Sequence, residues 1–372
     1  MPLWVKDQGV WKPIAGGGPV QFGFNAPEKM DKDFSDYCLM TGVTVNSSGL
    51  FVACGYNTTG NPLFSTSNDG VNWTTIKKID PDPAINVQLN SISVNSSGRF
   101  VAIGDCKTPQ NLYPLATTST DGINWSIPAK LNGSTTTNYI RKIAVNNSGL
   151  FVGVGSDNTV GNLRPVYTVS ADGINWSTPQ VMNGTSKECV MFGVTVNSSG
   201  LFVAIGFLGD ATSAPLFSTS TNGTDWTTPT NINGYTDYAT MGPVAVNKNG
   251  LFVAVGENRY DQFIYSVSSD GNNWSTPSQI SGFTDRFIPT DITVNDSGRF
   301  VVIGEFQQLG AAGFTTSFDG VTWTIPETLG GSTNLVKMRS LIANKSGRFV
   351  AVGYGNSEYY GVKKPIYAIS NI

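Results

Sequence analysis

Ser67-Asn68-Asp69-Gly70-Val71-Asn72-Trp73 contains the phrase Asp-Gly-x-x-Trp, which decides the fold because close variants of it recur along the chain. Six copies end at tryptophans separated by 52, 51, 50, 48 and 49 residues. These are Trp73, Trp125, Trp176, Trp226, Trp274 and Trp323. A period near 50 residues is typical of propellers and related repeat folds. The 372 residues therefore divide into repeats, and not into the two or three domains that length alone suggests.

The fourth repeat shows the predicted unit most clearly. Gly193–Val196 alternates between small or apolar and polar residues, and Leu201–Gly206 is almost fully apolar. Pro215–Ser220 and Asp225–Pro229 complete the unit after a variable loop and an Asn-Gly turn. Alternation, β-branched residues and Gly/Asn/Asp turns together predict four antiparallel strands in each repeat.

The repeats are predicted to close into a ring of seven. A turn glycine follows the first strand seven times, at Gly49, Gly98, Gly149, Gly200, Gly250, Gly298 and Gly347. Only six fourth strands follow the seven third strands, whereas Asp7-Gln8-Gly9-Val10-Trp11 keeps the four-residue step from Asp to Trp. We therefore predict an all-β, seven-bladed β-propeller with four-stranded blades and a 3+1 closure, in which the N-terminal strand Gly9–Ile14 completes the last blade.

The whole chain, residues 1–372, is predicted to be a single propeller domain. Residues 1–14 form its closing strand, and residues 15–39 form a long insertion before blade 1. The tryptophans of the repeat are expected to pack between neighbouring sheets and to have a structural role.

Composition excludes several classes of function. The net charge of −3 comes from 23 basic and 26 acidic residues without runs, so no basic surface for nucleic acid is expected. The chain has no histidine, which excludes Ser-His-Asp and Cys-His nucleophiles and the usual zinc sites. We predict no metal and no cofactor. No apolar stretch approaches a membrane span and the N-terminus lacks a signal core, so no membrane insertion is expected.

Two resemblances to known families follow from these motifs. Ser67–Trp73 and Ser170–Trp176 resemble the Asp-box, or BNR, repeat of sialidases and related propellers, although one residue between Asp and Gly is missing. The resemblance implies a propeller, and sialidase activity would require three clustered arginines, a Tyr/Glu nucleophile pair and a carboxylic acid. Arg99, Arg299 and Arg348 each follow a repeat glycine, so they are expected to be solvated and separate. Leu3–Ile14 resembles short segments of tailed-phage structural proteins.

The variable loops on the face opposite the tight turns are the predicted binding surface, because binding residues commonly lie on loops held by a rigid scaffold. Unpaired loop acids such as Glu257 and Glu305 match no catalytic motif, so no catalytic residue is predicted and the chain is expected not to be an enzyme. Aromatic rings suit sugars or protein partners. The candidate ligand-binding residues are Tyr235, Tyr238, Tyr260, Phe283, Tyr354, Tyr359 and Tyr360.

Three functions follow from this sequence. The leading hypothesis is a non-enzymatic phage virion component, such as a tail, fibre or decoration protein, assembled in the host cytoplasm. Its partners would be other virion proteins or a host-surface glycan or protein. The alternatives are a cellular, lectin-like carbohydrate-binding propeller and an Asp-box glycoside hydrolase. The sequence leaves the ligand and the oligomeric state open.

Overall fold

A computed structural model describes residues 4–7, 10–13, 22–34, 36–79, 86–107, 112–132, 134, 138–158, 163–182, 188–209, 213–235, 238–280, 282–283, 285–331, 335–356 and 363–371. It contains seven four-stranded antiparallel sheets and one two-stranded sheet. The first strands of successive blades contact one another all the way round, including those of blades 7 and 1. The predicted seven-bladed β-propeller is therefore confirmed. That one domain spans residues 1–372 stays a prediction.

The strands follow the chain in a simple order. The N-terminal strands are β1 (Trp4–Asp7), β2 (Val10–Pro13) and β3 (Glu28–Lys29). Blades 1 to 3 comprise β4 (Cys38–Val45), β5 (Phe51–Asn57), β6 (Pro62–Ser67), β7 (Lys77–Lys78); β8 (Asn86–Val94), β9 (Phe100–Lys107), β10 (Leu112–Ser119), β11 (Ala129–Lys130); β12 (Asn138–Val145), β13 (Phe151–Asp157), β14 (Arg164–Ser170), β15 (Gln180–Val181).

Blades 4 to 6 repeat this pattern, and blade 7 has three strands of its own. They comprise β16 (Cys189–Val196), β17 (Phe202–Leu208), β18 (Pro215–Ser220), β19 (Thr230–Asn231); β20 (Ala239–Val246), β21 (Phe252–Asn258), β22 (Phe263–Ser268), β23 (Ser278–Gln279); β24 (Phe287–Val294), β25 (Phe300–Phe306), β26 (Ala311–Ser317), β27 (Glu327–Thr328); β28 (Val336–Ala343), β29 (Phe349–Asn356), β30 (Lys363–Ile369). Two short 3₁₀ turns, Ile232–Gly234 and Leu329–Gly331, follow the fourth strands of blades 4 and 6.

The core lies between adjacent blades. The second strand of each blade is the most apolar, and its first residue is a fully buried phenylalanine such as Phe100 or Phe202. Phe100 packs with Val52 of blade 1 and Leu89 of its own blade. Burial of each such side chain stabilises the fold by about 1.5–3 kcal/mol. Because these contacts join neighbouring sheets, every blade needs a neighbour on both sides.

Each first strand carries a β-bulge at the same place. In blade 2 the register shifts between Leu89 and Ser91, so that Asn90 is unpaired. A glycine lies opposite every bulge, as Gly104 does here, and a Cβ on Gly104 would overlap the carbonyl oxygen of Gln88. The bulge therefore explains why this glycine recurs in every blade, since any side chain would collide with the first strand.

The Asp-box stabilises the turn between the third and fourth strands. In blade 2, Asp121 Oδ1 accepts hydrogen bonds from the backbone of Ile123 (2.8 Å) and Asn124 (2.7 Å). These bonds, with that from Ser119 Oγ, hold the pKa of the Asp121 carboxyl well below its usual range. Trp125 Nε1 donates to the carbonyl of Gly122, which folds the ring back over the turn. Trp176 and Trp274 are buried against two blades each, so the predicted structural role of the tryptophans is confirmed.

The 3+1 closure is also confirmed, but the closing strand lies further along the chain than predicted. The last blade is completed by β3, whose Glu28 and Lys29 pair with Tyr367 and Ile366. Gly9–Ile14 does not have this role, because β2 pairs with β1 in a separate hairpin with Asp7 opposite Val10. The other fourth strands begin four residues after the repeat tryptophan, so the seventh equivalent position is Phe24 and not Trp11.

Phe24 belongs to an Asp-box split between the two ends of the chain. It bridges Ser370, as Trp125 bridges Ser119 in blade 2. Asn371 Oδ1 accepts a hydrogen bond from the backbone of Gly23 at 2.7 Å, the bond that Asp121 makes to Asn124. Phe24 is buried beside Phe314 and Phe349. The ring is therefore joined by the same motif that builds each blade.

Candidate functional site

The functional candidates follow from the bulges, because a bulge turns a strand residue toward the propeller axis. The unpaired residue of each bulge differs from blade to blade, and most of these residues line one cavity of about 640 Å³. They are Thr41, Asn90, Arg141, Phe192, Gly242 with Pro243, Thr290 and Arg339.

A second ring of variable residues follows the glycine opposite each bulge. Its members are Tyr56, Asp105, Ser156, Phe207, Glu257, Glu305 and Tyr354. Tyr56 and Asp105 line the same axial cavity. Both rings lie near the strand ends from which the variable loops leave, which is the face that the sequence predicted. The repeated backbone thus presents blade-specific side chains at the axis.

Asp105 and Arg141 are the chemically most distinctive pair in this cavity. Asp105 Oδ2 accepts a hydrogen bond from Asn90 Nδ2 at 2.6 Å, while its Oδ1 is buried without a hydrogen-bond partner. Burial raises the pKa of Asp105 to about 7, although hydrogen bonds with Asn90 and with the backbone of Ile140, and the positive charge of Arg141, oppose the rise. Arg141 Nε is also buried without a partner. A carboxyl group with a raised pKa and a guanidinium that line one cavity are typical of a binding site.

Arg141 is positioned by aromatic rings. Its guanidinium carbon lies 4.4 Å from the ring centroid of Phe192 and 5.7 Å from that of Tyr139. Cation–π contacts of this kind stabilise a cation without using its N–H donors. The ring contacts hold the guanidinium of Arg141 on the wall of the axial cavity.

Lys142 and Asp291 form an ion pair across the axis, from blade 3 to blade 6. Lys142 Nζ lies 2.9 Å from Asp291 Oδ1, and Asp291 Oδ2 accepts the backbone N–H of Leu341 at 2.9 Å. Both oxygens of this buried carboxylate are thus engaged by protein groups. Asp291 is held as a structural anion on the cavity wall.

A third group lies where blade 7 meets blade 1. Arg339 donates to the hydroxyl of Tyr354 at 3.0 Å, and Lys363 Nζ lies 4.5 Å from the ring centroid of Tyr354. Burial raises the pKa of the Tyr56 hydroxyl, and the charges of Arg339 and Lys363 oppose that rise. Arg339 and Tyr56 line the axial cavity.

An adjoining cavity of about 300 Å³ contains a further carboxyl group. Glu257 Oε1 accepts a hydrogen bond from Thr240 at 3.1 Å, and Oε2 is buried without a partner. Burial raises the pKa of Glu257. The walls are mainly apolar, with Phe192 and Phe207 stacked at 5.0 Å.

The aromatic residues predicted from the sequence do not form one surface. Phe283 is buried in the core between blades 5 and 6, and Tyr235 packs against the core of blades 4 and 5. Tyr238 and Tyr260 are exposed, while Tyr354 is buried beside Arg339. Tyr359 and Tyr360 lie outside the described residues. As a set, these residues stay a prediction, and Tyr354 is the member placed next to the axial cavity.

Sequence reasoning missed Asp105, Arg141 and Asp291 as site residues. The available signal was positional: each of them occupies a repeat position whose residue type varies among the blades, next to positions that hardly change. The arginines that follow turn glycines lie elsewhere. Arg299 lies between the rings of Phe22 and Phe318, at 4.6 and 4.4 Å. In the described part of the chain, the arginines lining the axial cavity are Arg141 and Arg339.

Neither metal nor membrane chemistry is indicated in the described residues. They include no group of three or more metal-ligating side chains, and none of their helices is long and apolar enough to cross a bilayer. All four cysteines are buried free thiols.

Comparison with known proteins places the fold among carbohydrate enzymes and proteins of other kinds. No protein-family model and no curated protein sequence matches this chain. Among solved structures, it is similar to YCF48 from Cyanidioschyzon merolae, with a TM-score of 0.60, 14% identity, and 92% of this chain and 98% of that chain covered.

Two further solved structures are enzymes. A polysaccharide lyase, the PL25 ulvan lyase, has a TM-score of 0.58 and 12% identity, with 92% of this chain and 93% of that chain covered. The Hadza microbial sialidase Hz136 has a TM-score of 0.51 and 12% identity, with 79% and 66% covered. At these identities the likeness shows a shared fold.

The neighbours overturn the prediction that this chain is not an enzyme. That prediction rested on the absence of histidine and on acids that no motif paired. Sialidases and a lyase have this fold, and burial raises the pKa of the Asp105 carboxyl group to about 7, so the lack of histidine does not leave the chain without a group of that pKa. The resemblance of the N-terminal segment to phage tail proteins is not shown by these comparisons.

Proposed function

We propose that the axial cavity binds an acidic polysaccharide and that the protein cleaves it by β-elimination at a uronic acid. The observation that carries the proposal is that a guanidinium, Arg141, and a carboxyl group with a raised pKa, Asp105, line one cavity. A guanidinium is the preferred partner of a carboxylate. A carboxyl group with a pKa near the working pH is suited to moving a proton.

In the proposed reaction Arg141 binds the carboxylate of the uronic acid. Asp105, in its ionised form, removes the proton from C5, next to that carboxylate. The electron pair of the C–H bond becomes the C4–C5 double bond and expels the oxygen attached to C4, which takes a proton from Tyr139. Arg141 stabilises the negative charge that develops on the carboxylate as the proton leaves.

The state of Asp291 favours elimination over hydrolysis by a carboxylate pair. Glycoside hydrolysis commonly requires two free carboxyl groups facing the bond. Asp105 and Asp291 are the acids among the described residues that line the axial cavity. Asp291 is engaged by Lys142 and by the backbone of Leu341, so one working acid remains. The neighbouring ulvan lyase, one structure of which is bound to -[GlcA(1-4)Rha3S]-, agrees with an acidic polysaccharide ligand.

The test is to incubate the protein with ulvan, polygalacturonate and alginate and to follow two products. Elimination yields an unsaturated, ultraviolet-absorbing uronic acid together with a new reducing end. We expect Asp105→Asn to lower kcat by about 100-fold or more with little change in KM, because only the proton transfer is lost. Arg141→Gln should raise KM and lower kcat. Arg299→Gln, outside the cavity, is the matched control.

The pH dependence provides a separate readout. Because the base must be ionised, kcat/KM should rise as the pH increases through about 7 and then level off, following the raised pKa of Asp105. Reducing ends without unsaturated product would mean hydrolysis and would overturn the elimination mechanism. Binding to none of these polymers would overturn the proposal as a whole.

The virion location and its partners stay a separate prediction, which the resemblance of Leu3–Ile14 to phage structural segments supports. A glycan-cleaving propeller is compatible with a virion protein that meets a host-surface polysaccharide. Mass spectrometry of purified virions tests this location. Absence of the protein from virions, together with secretion or retention by a cellular host, would contradict it.

A further inference from the structure

A group of aromatic and cationic side chains lies where blade 7 meets blade 1, and two of its members, Tyr56 and Arg339, line the axial cavity. We define the tyrosine–cation cluster as Tyr37, Tyr56, Arg339, Tyr354 and Lys363. Lys363 Nζ lies 4.5 Å from the ring centroid of Tyr354 and 5.4 Å from that of Tyr37. Arg339 hydrogen-bonds the Tyr354 hydroxyl, and its guanidinium carbon lies 5.4 Å from the same ring. One ring therefore contacts two cations.

Within the part of the chain that the structure describes, the two cations of this cluster have no carboxylate at ion-pair distance. Among the described residues, neither Arg339 nor Lys363 forms an ion pair, although nearby Lys337 is paired with Glu305 at 2.7 Å. A hydrogen bond with Tyr37 raises the pKa of Lys363, whereas the charge of Arg339 lowers it. Two like charges held close together repel each other. An anion bound between them would remove that repulsion.

Aromatic packing alone does not account for the position of the cluster. A lysine that only covers a ring would lie at the solvent-facing rim, whereas Arg339 is the bulge residue of blade 7 and faces the axis. Tyr56 occupies the equivalent of Asp105 in blade 1 and lines the same cavity. The cluster thus uses, in blades 7 and 1, the two variable ring positions that supply Arg141 and Asp105 in blades 3 and 2.

We propose that the tyrosine–cation cluster is a second anion subsite, which binds a sulfate or carboxylate group on a sugar next to the one held by Arg141. The proposal rests on the proposed function and narrows it: the ligand is a polysaccharide with charged groups on neighbouring residues. Arg339 and Lys363 bind the anion. The tyrosine rings provide apolar faces and hydroxyl groups for the sugar ring.

The experiment measures binding of oligosaccharides by calorimetry to the full chain carrying Asp105→Asn, which prevents turnover. The probes are a polygalacturonate tetrasaccharide with carboxylates alone, a κ-carrageenan tetrasaccharide with sulfates alone, an ulvan tetrasaccharide with both, and galacturonic acid. Arg339→Gln combined with Lys363→Met is the test variant. Lys345→Met, which removes a lysine bonded to the carbonyl of Ser47 at a distant turn, is the matched control. Arg339→Lys tests rescue by charge.

We expect the double variant to weaken binding of the doubly charged tetrasaccharide by about tenfold or more, and to reduce its salt dependence. Binding of galacturonic acid should be unchanged. Arg339→Lys should restore part of the affinity. The sulfated and the carboxylated probes identify which anion the subsite prefers.

Two outcomes separate this inference from the proposed function. Binding that requires Arg141 but is unaffected by the double variant would overturn the second subsite alone. Failure of every anionic probe to bind would overturn both proposals. Equal affinity for galacturonic acid and the tetrasaccharides would also contradict the subsite, because a second charge would then contribute nothing.

Discussion

At the scale of single residues, the Asp-box turns provide a natural comparison within one chain. Asp270 Oδ1 accepts backbone hydrogen bonds from Asn272 and Asn273, and its Oδ2 accepts one from Asn273 Nδ2 at 2.7 Å. Blade 4 has the reversed pair, since Asn222 Nδ2 donates to Asp225 Oδ2 at 2.7 Å. The backbone bonds are the same in both blades. Either arrangement therefore satisfies the turn.

This comparison predicts a graded series of stabilities. Asp270→Ala should lower the free energy of unfolding by about 1–2 kcal/mol, because two turn amides lose their acceptor. Asp270→Asn should lower the free energy of unfolding by a smaller amount. It keeps the Oδ1 acceptor, but it places the new amide group against the amide of Asn273. Urea unfolding curves measure the difference.

The double variant Asp270→Asn with Asn273→Asp is the control for this series, because it reproduces the blade 4 pair. It should regain most of the stability lost in Asp270→Asn. A double variant as unstable as Asp270→Ala would show that the side-chain pair has no role in the turn.

At the scale of elements, the closure makes the segment around β3 essential and the β1–β2 hairpin dispensable to the ring. Deletion of residues 1–13 should leave the thermal midpoint within a few degrees of the full-length protein, since β1 and β2 pair with each other. Deletion of residues 1–30 should abolish cooperative unfolding. It removes β3 and Phe24, and it exposes the core face of blade 7.

Circular dichroism melting of the two truncated proteins measures this difference. Phe24→Ala in the full chain is the milder variant, with an expected loss of about 3–5 kcal/mol for a buried phenylalanine. If the shorter deletion also unfolded the ring, the hairpin would have to contribute to closure after all.

The closure also shows what could be predicted from the sequence and why the rest could not. Periodicity indicated seven blades and an N-terminal closing strand, because hydrophobic alternation and turn glycines repeat in every unit. The position of that strand could not be read from the tryptophans, since Phe24 replaces tryptophan in the split Asp-box and Asp7–Trp11 keeps the spacing without the role. Matching the motif by side-chain identity was misleading. The closing strand is located by the four-residue step from the aromatic residue of the Asp-box to the start of the fourth strand.

At the scale of the whole molecule, backbone features that repeat in every blade lie next to side chains that vary among the blades. The bulges and their opposing glycines are repeated, so the two residues beside them can vary without changing the fold. The site could not be predicted from motifs, because its residues come from different blades, such as Asp105 from blade 2 and Arg141 from blade 3. Each of these two residues also has a buried polar atom without a hydrogen-bond partner, and such atoms destabilise the folded state.

This instability leads to a prediction that links function with stability. The folded state raises the pKa of Asp105 to about 7, so folding favours the protonated form. The protonated form of Asp105 contributes fully to the free energy of unfolding below the unfolded pKa of about 4. This contribution is lost as the pH rises through about 7. The amide introduced by Asp105→Asn has no charge to bury. The variant should therefore match the wild type near pH 4 and become more stable as the pH rises, by about 4 kcal/mol above pH 7.

Urea unfolding of both proteins between pH 4 and pH 8.5 measures this difference, and Asp296→Asn at an exposed turn controls for the loss of one negative charge. At low pH the Asp-box carboxyls become protonated and their contribution to the stability of the fold is lost. This loss is the same in all three proteins, so it cancels from the comparison. The same Asp105→Asn variant should be inactive on polysaccharide, because the group that destabilises the fold is the one that removes the proton. A variant that is inactive but shows no pH-dependent gain would mean that Asp105 is already ionised at little cost, and the expected rise of kcat/KM through pH 7 would then have to come from another group.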